Sequence, residues 1–176
     1  MAFLKAGQGI IRARSKDIGM EMSAFYEEKL KRYMREKGIA GEHLTFSQSC
    51  HSVAEAAKAA GVRHEDFVKS ICMIDPAGQC IVAIVKGEHR ASTSRVAKIL
   101  KTDQVRTATP EEVFEKTGYP CGGTPSFGFP AIYLIDPKVM EMEVVYMGGG
   151  SGTSLVKIHP VEIARANRGE VVKIRK

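Results

Sequence analysis

The sequence lacks most of the features that mark specialised protein classes. No apolar run approaches the roughly 20 residues that a membrane-spanning helix needs. The opening segment Met1–Arg12 has too short an apolar stretch for a secretory signal, so a cytoplasmic protein without membrane contact is expected. The four cysteines, Cys50, Cys72, Cys80 and Cys121, include no Cys-x-x-Cys pair, and Cys72 and Cys80 fall inside strand-like runs. Neither a zinc site nor a disulfide framework is indicated, and buried free thiols are expected. The five histidines, His43, His51, His64, His89 and His159, show no metal-ligand spacing. His51 precedes a helix-capping serine and His159 precedes a proline at a helix start, so both read as local structure. There is no nucleophile elbow, no Ser–His–Asp order and no low-complexity run; with 26% charged residues, long disorder is excluded.

What is present is enough for one domain with a real core: 176 residues, 44% of them hydrophobic. The formal net charge of +6 admits a polyanionic partner without identifying one. No basic ribbon studded with aromatics, of the kind that stacks on single strands, is visible.

One stretch organises the chain, Thr117-Gly-Tyr-Pro-Cys-Gly-Gly-Thr-Pro-Ser-Phe-Gly-Phe-Pro130. It holds four glycines and three prolines, carries no charge, and has Tyr119, Phe127 and Phe129 between them. A solvated linker would carry charges or several serines. This composition suits either a rigid connector or a shaped loop against a core, in which Gly122 and Gly123 permit close approach and offer unobstructed N–H groups.

Along the chain, residues 1–16 read as an arm bearing Arg12, Arg14 and Lys16. From Asp17 to Lys37, the residues Ile18, Met22, Phe25, Tyr26, Leu30, Tyr33 and Met34 recur at helical spacing, and Gly38 is placed to end that helix. Leu44–Gln48 alternates like a strand. Ser52-Val-Ala-Glu55 is a capping-box pattern opening an alanine-rich helix that stops at Gly61. Val68–Ile74 and Cys80–Val85 read as a hairpin around a five-residue loop. A short helix starts at Ser92 or Ser94 and ends near Leu100; a short strand covers Gln104–Ala108. Thr109-Pro-Glu-Glu112 caps a helix that ends at Gly118. Strands are expected over Ala131–Ile135, Val144–Met147, Leu155–Ile158 and Glu170–Ile174, and a helix over Pro160–Asn167. The intermixed short elements give an α+β class with a mixed sheet, curled toward a barrel.

Lys69 is the anomaly, a lysine inside the apolar run Val-Lys-Ser-Ile-Cys-Met-Ile. It must snorkel, lie on an edge, or project into a polar cavity, where an ammonium can hold a phosphate or stabilise developing negative charge. Gly148–Ser154 invites a phosphate-loop reading but lacks the lysine and following helix of a Walker motif.

Taken together and in order, these features resemble the YbaK/ProX family of aminoacyl-tRNA deacylases, whose domain also occurs as the editing insertion of bacterial prolyl-tRNA synthetases. The matching set is Ser52-Val-Ala-Glu-Ala-Ala, Val68-Lys69-Ser70, Val85-Lys-Gly-Glu-His-Arg90, the Thr117–Gly128 stretch, Ile135-Asp136 and Gly148–Ser154. It covers about residues 50–176.

The resemblance implies a barrel-like mixed sheet flanked by helices over 41–176, with residues 1–40 as an N-terminal helical extension packed on it. It implies trans-editing: hydrolysis of a small mischarged amino acid, of the alanine or cysteine class, from tRNA, with tRNA(Pro) the expected carrier. A non-catalytic tRNA- or nucleotide-binding module of the same fold is the alternative. The family's essential lysine falls on Lys69 and its Gly-x-x-x-Pro loop on Gly122–Ser126. Here the chain departs from the pattern, with proline at the fourth place (Pro125) and serine at the fifth (Ser126). Lys69 and Gly122 are thus the expected catalytic residues. Gly123, Thr124, Pro125, Ser126, Asp136, Gly150 and Ser151 are the expected substrate-binding residues. No metal or cofactor is required; the expected partners are the 3′ acceptor end of mischarged tRNA and a cognate synthetase.

Overall fold

The structure, a computed structural model, describes residues 3–176, with side chains from Asp17 onward. The first helix, α1, runs Phe3–Lys37. The arm expected over residues 1–16 is therefore helical from Phe3, while Arg12, Arg14 and Lys16 have side chains outside the described residues. On α1, Tyr26, Leu30 and Met34 lie four apart and enter the core. Ile18, Met22 and Phe25, which share the helical period, stay exposed because the domain lies against the helix only from Tyr26 onward.

Local signals fix the next elements. Strand β1 (Gly41–Thr45) starts three residues before the alternating segment. In α2 (Val53–Ala60) the Glu55 N–H donates to Ser52 Oγ at 3.1 Å, and the Ser52 N–H donates to Glu55 Oε2 at 3.2 Å. A short 3₁₀ turn, His64–Asp66, leads into β2 (Val68–Ile74) and β3 (Cys80–Lys86), an antiparallel hairpin with Lys69 opposite Val85. Helix α3 (Thr93–Leu100) is capped by Ser92, and β4 (Arg106–Thr107) is only two residues long. Helix α4 (Pro110–Thr117) opens on the Thr109/Glu112 capping box with Pro110 in its first turn.

The remaining elements are β5 (Ile132–Ile135), α5 (Pro137–Met140), β6 (Val145–Gly148), β7 (Ser154–Ile158), α6 (Pro160–Asn167) and β8 (Glu170–Val171). Helix α5, between β5 and β6, is a single short turn with Asp136 as its cap. His159 caps α6, its Nδ1 accepting from the Val161 N–H at 3.1 Å, a local structural role as expected.

The strands form two sheets in the orders β4-β2-β3-β5-β8 and β1-β7-β6. The larger is mixed, with β3 antiparallel to β2 and parallel to β5. The two meet at one bridge, Phe67 to Tyr146. The barrel is therefore not closed, because the two-residue strands β4 and β8 end the larger sheet without pairing to the smaller one.

Strand β3 is buried on both faces. Cys80, Val82 and Ile84 face a core shared with Leu30, Tyr119, Phe127 and Val156. Ile81, Ala83 and Val85 face a second core built with Val96 of α3 and Ile174. This continuous burial is what makes β2, its hairpin partner, a stiff platform for the residues it carries.

Candidate active site

A cavity of about 430 Å³ lies where the N-terminal half of β2 meets the start of α2, the loop after α4 and the ends of β6 and β7. Its walls are mainly apolar, including Val53, Phe67, Val68, Ile71, Met147 and Leu155. The polar groups are Lys69, Ser70, His51, Ser52, Thr107 and Thr124. A mostly apolar cleft with a few convergent polar groups is the usual form of a small-ligand site.

Strand pairing explains why Lys69 reaches it. Strand β4 covers only Met73 and Ile74, so the first half of β2 is paired on one side by β3 and is free to face the cavity on the other. Burial, then the nearby Arg90 guanidinium, pushes the Lys69 ammonium below its ordinary pKa. Among the described residues, no carboxylate pairs with it.

The Gly122 backbone has φ +89°, a conformation that side-chain-bearing residues avoid. A methyl there would fall 2.5 Å from His51 Nδ1, and one on Gly152 would fall 2.5 Å from His51 Nε2. The imidazole of His51 is thus held between the two glycine-rich segments, at the cavity and open to solvent. Sequence reasoning read His51 as local structure. The structure instead places its ring at the cavity, where the start of α2 meets it.

Gly123 packs tightly on the second segment, since a Cβ there would lie 2.7 Å from the Ser151 amide nitrogen. The Gly150 N–H donates to the Gly123 carbonyl at 2.8 Å, joining the segments backbone to backbone. The Gly123 N–H donates to Pro120 at 3.0 Å and is used inside the turn. Among the described residues, the Gly122 N–H has no acceptor, which leaves it as the available donor of the pair.

Of the nine residues expected at the site, Lys69, Gly122 and Thr124 line the cavity, and the other six do not. Gly123, Pro125 and Ser126 are buried beneath the loop. Ser126 Oγ lies 2.8 Å from Ser70 Oγ, and its carbonyl accepts from Asn167 Nδ2 at 2.9 Å. The serine that departs from the family pattern therefore pins the loop to β2 beside Lys69 and does not form the rim.

Ser151 is buried with its hydroxyl donated to Glu27, and Gly150 sits behind Gly123. Asp136 is fully buried at the end of β5. Its Oδ1 accepts from Arg175 Nη1 at 2.6 Å and from the Lys138 N–H at 3.1 Å, and Oδ2 accepts from the Ile174 and Arg175 N–H groups at 3.1 Å each. Burial raises its pKa, but these bonds outweigh burial and hold the carboxyl below its ordinary range. Its acceptor positions are filled by the chain's own C-terminal segment.

Cys50 and Cys72 also line the cavity and are buried. A hydrogen bond shared with Cys80, together with burial, pushes the Cys72 thiol up, which makes it a poor nucleophile. Burial also raises Cys50. Cys121 is exposed at the cavity, against the expectation of four buried thiols, because it sits in the turn closed by the Gly123 N–H and the Pro120 carbonyl. Among the described residues, no group of three or more His, Cys, Asp or Glu side chains could hold a metal ion, and no helix is long and apolar enough to cross a membrane.

The chain is similar to several known proteins. A protein called YwhH from Bacillus subtilis (strain 168) is 26% identical over 129 residues, covering 72% of this chain and 81% of that protein. A proline–tRNA ligase from Trichlorobacter lovleyi is 26% identical over 130 residues, but the chain spans only 23% of its length. The crystal structure of hypothetical protein APE2540 superposes with a TM-score of 0.78 at 28% identity, covering 84% of this chain and 99% of that one. A protein proposed as a trans-editing enzyme for prolyl tRNA synthetase shares the fold, with a TM-score of 0.79 at 24% identity over 86% of this chain and 97% of that one. Residues 47–166, the span that contains Lys69, His51 and both glycine-rich segments, match the aminoacyl-tRNA editing domain. The chain belongs to the aminoacyl-tRNA editing domain family, with the YbaK/ProX type of editing fold.

Proposed function

We propose that this protein is a trans-editing deacylase that removes a small wrongly attached amino acid, of the alanine or cysteine class, from tRNA, with tRNA(Pro) as the carrier. The observation that carries the reading is the meeting of Lys69, Gly122 and His51 at one mainly apolar cavity. A volume of about 430 Å³ lies in the range of small-ligand sites and accommodates an aminoacyl group on a ribose.

The reaction asks little of the protein. Water attacks the ester carbonyl, the tetrahedral oxyanion collapses, and the ribose oxygen leaves with a proton, giving free amino acid and tRNA. The ester is already activated, so the site must position a water and stabilise negative charge. Lys69 supplies a cation that, among the described residues, no carboxylate neutralises; it serves either the oxyanion or the phosphate of the terminal nucleotide. The Gly122 N–H is the oxyanion donor, and His51 stands where it can orient water or the ribose hydroxyl. Thr124 and the apolar wall limit the size of the amino acid.

The net charge of +6 supports tRNA as the larger partner, held through its phosphates. The relatives that are proline–tRNA ligases support a synthetase as a neighbour in the same pathway of tRNA use.

The test is a deacylation panel of tRNAs charged with alanine, cysteine, serine and proline, with each spontaneous rate subtracted. Accelerated release of alanine or cysteine, with proline spared, is expected. No release above the spontaneous rate from any tRNA, with binding retained, would replace the enzyme by a tRNA-binding module.

A further inference from the structure

We propose that Glu27, on the helix that precedes the family match, is a positioning residue that sets the shape of the cavity by fixing the Gly148–Ser154 segment; the catalytic part of this inference rests on the deacylase reading above.

Glu27 is only 7% exposed, and a carboxylate is rarely buried without a partner. Among the described residues, no Lys, Arg or His forms an ion pair with it. Its partners are two hydroxyls: Ser151 Oγ donates to Oε1 at 2.7 Å, and Thr45 Oγ1 donates to Oε2 at 3.1 Å. Both bonds run from hydroxyl to carboxylate, so Glu27 dictates the direction of the bonds around it. Ser151 must give its proton to Glu27, and Ser154 Oγ, 2.9 Å away, is left to donate to Ser151. Ser154 Oγ in turn accepts from the Ser151 N–H at 3.2 Å, which closes the turn on itself.

The helix backbone touches the same segment. A Cβ on Gly150 would lie 2.9 Å from the Tyr26 carbonyl oxygen, and His43 Nε2 lies 2.7 Å from the Gly149 carbonyl oxygen. From Ser151 the path to the cavity is short. Its backbone packs on Gly123, which precedes Thr124 and follows Gly122, and the Gly150 N–H holds the Gly123 carbonyl. Gly148, at the other end of the segment, itself lines the cavity. Glu27 thus acts on the cavity wall through Ser151, without touching the cavity.

A wall held less firmly should tolerate a larger amino acid. The readout is the ratio of kcat/KM for tRNA carrying alanine to that for tRNA carrying 2-aminobutyrate, which differ by one methylene. This ratio does not depend on what fraction of the protein is folded. Glu27→Ala is expected to lower it by about 3- to 10-fold, part of the roughly 10- to 200-fold that one methylene can be worth. Glu27→Gln keeps a carbonyl oxygen for Ser151 and should restore most of the ratio. If Glu27→Ala does not fold, Ser151→Ala removes the same bond and carries the same expectation.

Hydrogen exchange supplies a readout that needs no catalysis: amides of residues 148–154 should exchange faster in Glu27→Ala than in Glu27→Gln or the unaltered protein. An unchanged ratio, an unchanged exchange rate in this segment, or a glutamine variant as impaired as alanine would each overturn the inference. If the unaltered protein hydrolyses no charged tRNA, the deacylase reading fails, and the positioning role is decided by exchange alone.

Discussion

Lys69 and Asp136 are both charged groups drawn partly or wholly out of water, and the fold treats them in opposite ways. Asp136, at the end of β5, is fully buried and surrounded by donors: one guanidinium and three backbone N–H groups. Lys69, at the start of β2, faces the cavity beside another cation, Arg90, and among the described residues no carboxylate pairs with it. A buried charge with its partners in place is a structural clasp; a half-buried charge without them is open to a partner from outside. Both residues belong to the resemblance read in the sequence, yet the surroundings separate them.

The comparison breaks most visibly at Lys69. Lys69→Ala should lower the deacylation rate by about 100- to 1000-fold, the usual cost of losing one electrostatic stabiliser of a developing charge. Its melting temperature should hold level, because no ion pair is lost. Lys69→Arg should recover only part of the rate, since a planar fork does not replace a compact ammonium. Single-turnover kinetics with mischarged tRNA measure both. Near-normal rates in the alanine variant, with a large fall in melting temperature, would make Lys69 the structural member of the pair.

Asp136→Asn should do the reverse. Removing one member of a buried, hydrogen-bonded pair costs on the order of 3 kcal/mol, or roughly 6–12 °C in melting temperature for a domain of this size. The rate per folded molecule should stay within about twofold, a change too small to register as lost transition-state binding. The folded carboxyl is held below its ordinary value of 3.8, so its contribution is present above that value and is lost as pH falls through the folded one. The gap between the two proteins should therefore close in acid. A variant with full stability and no activity would put Asp136 back at the substrate.

Gly122→Ala probes the cavity wall itself. The positive φ would strain an alanine by about 1–3 kcal/mol, and the added methyl would crowd the His51 ring. Displacing that ring or the Gly122 N–H should cost about 10- to 100-fold in rate. Serine or alanine at Thr124, which carries no such strain, should cost much less. Equal losses at the two positions, in single-turnover assays, would mean that the loop's shape is not what matters.

These contrasts also show what a sequence reading could reach. The caps of α2 and α4 were legible because both partners of each bond lie within three residues. Lys69 was legible because it breaks an apolar run, and a break in pattern needs a reason. His51 was not, since it breaks nothing; only the meeting of Gly122 and Gly152 around its ring gives it a place. Glu27 breaks no pattern in the sequence either, and its partner Ser151 is 124 residues away. The period of Ile18, Met22 and Phe25 was correctly helical, but a period cannot say whether anything lies opposite that face. Asp136 and Ser151 were placed at the site by resemblance, which carries a position over without the bonds that occupy its side chain.

The smallest expected effect separates the two charges most directly, because it has opposite sign in pH. Burial, and then Arg90, lowers the folded pKa of Lys69 from its ordinary 10.5. The folded state therefore sheds this proton more readily than the unfolded chain does. Stability carries a penalty that is full below the depressed folded value, shrinks as pH rises through it, and is gone above 10.5. Lys69→Met removes the group and keeps an apolar stem of similar reach. It should melt slightly higher near neutral pH, by about 1–3 °C, a small gain because the ammonium keeps part of its water. That advantage should fade in alkali, whereas the Asp136→Asn deficit fades in acid. Paired melting curves across pH measure both slopes. A methionine variant less stable at neutral pH, or one whose advantage grows toward alkali, would mean that Lys69 has a structural partner and that its charge is not held in reserve for a substrate.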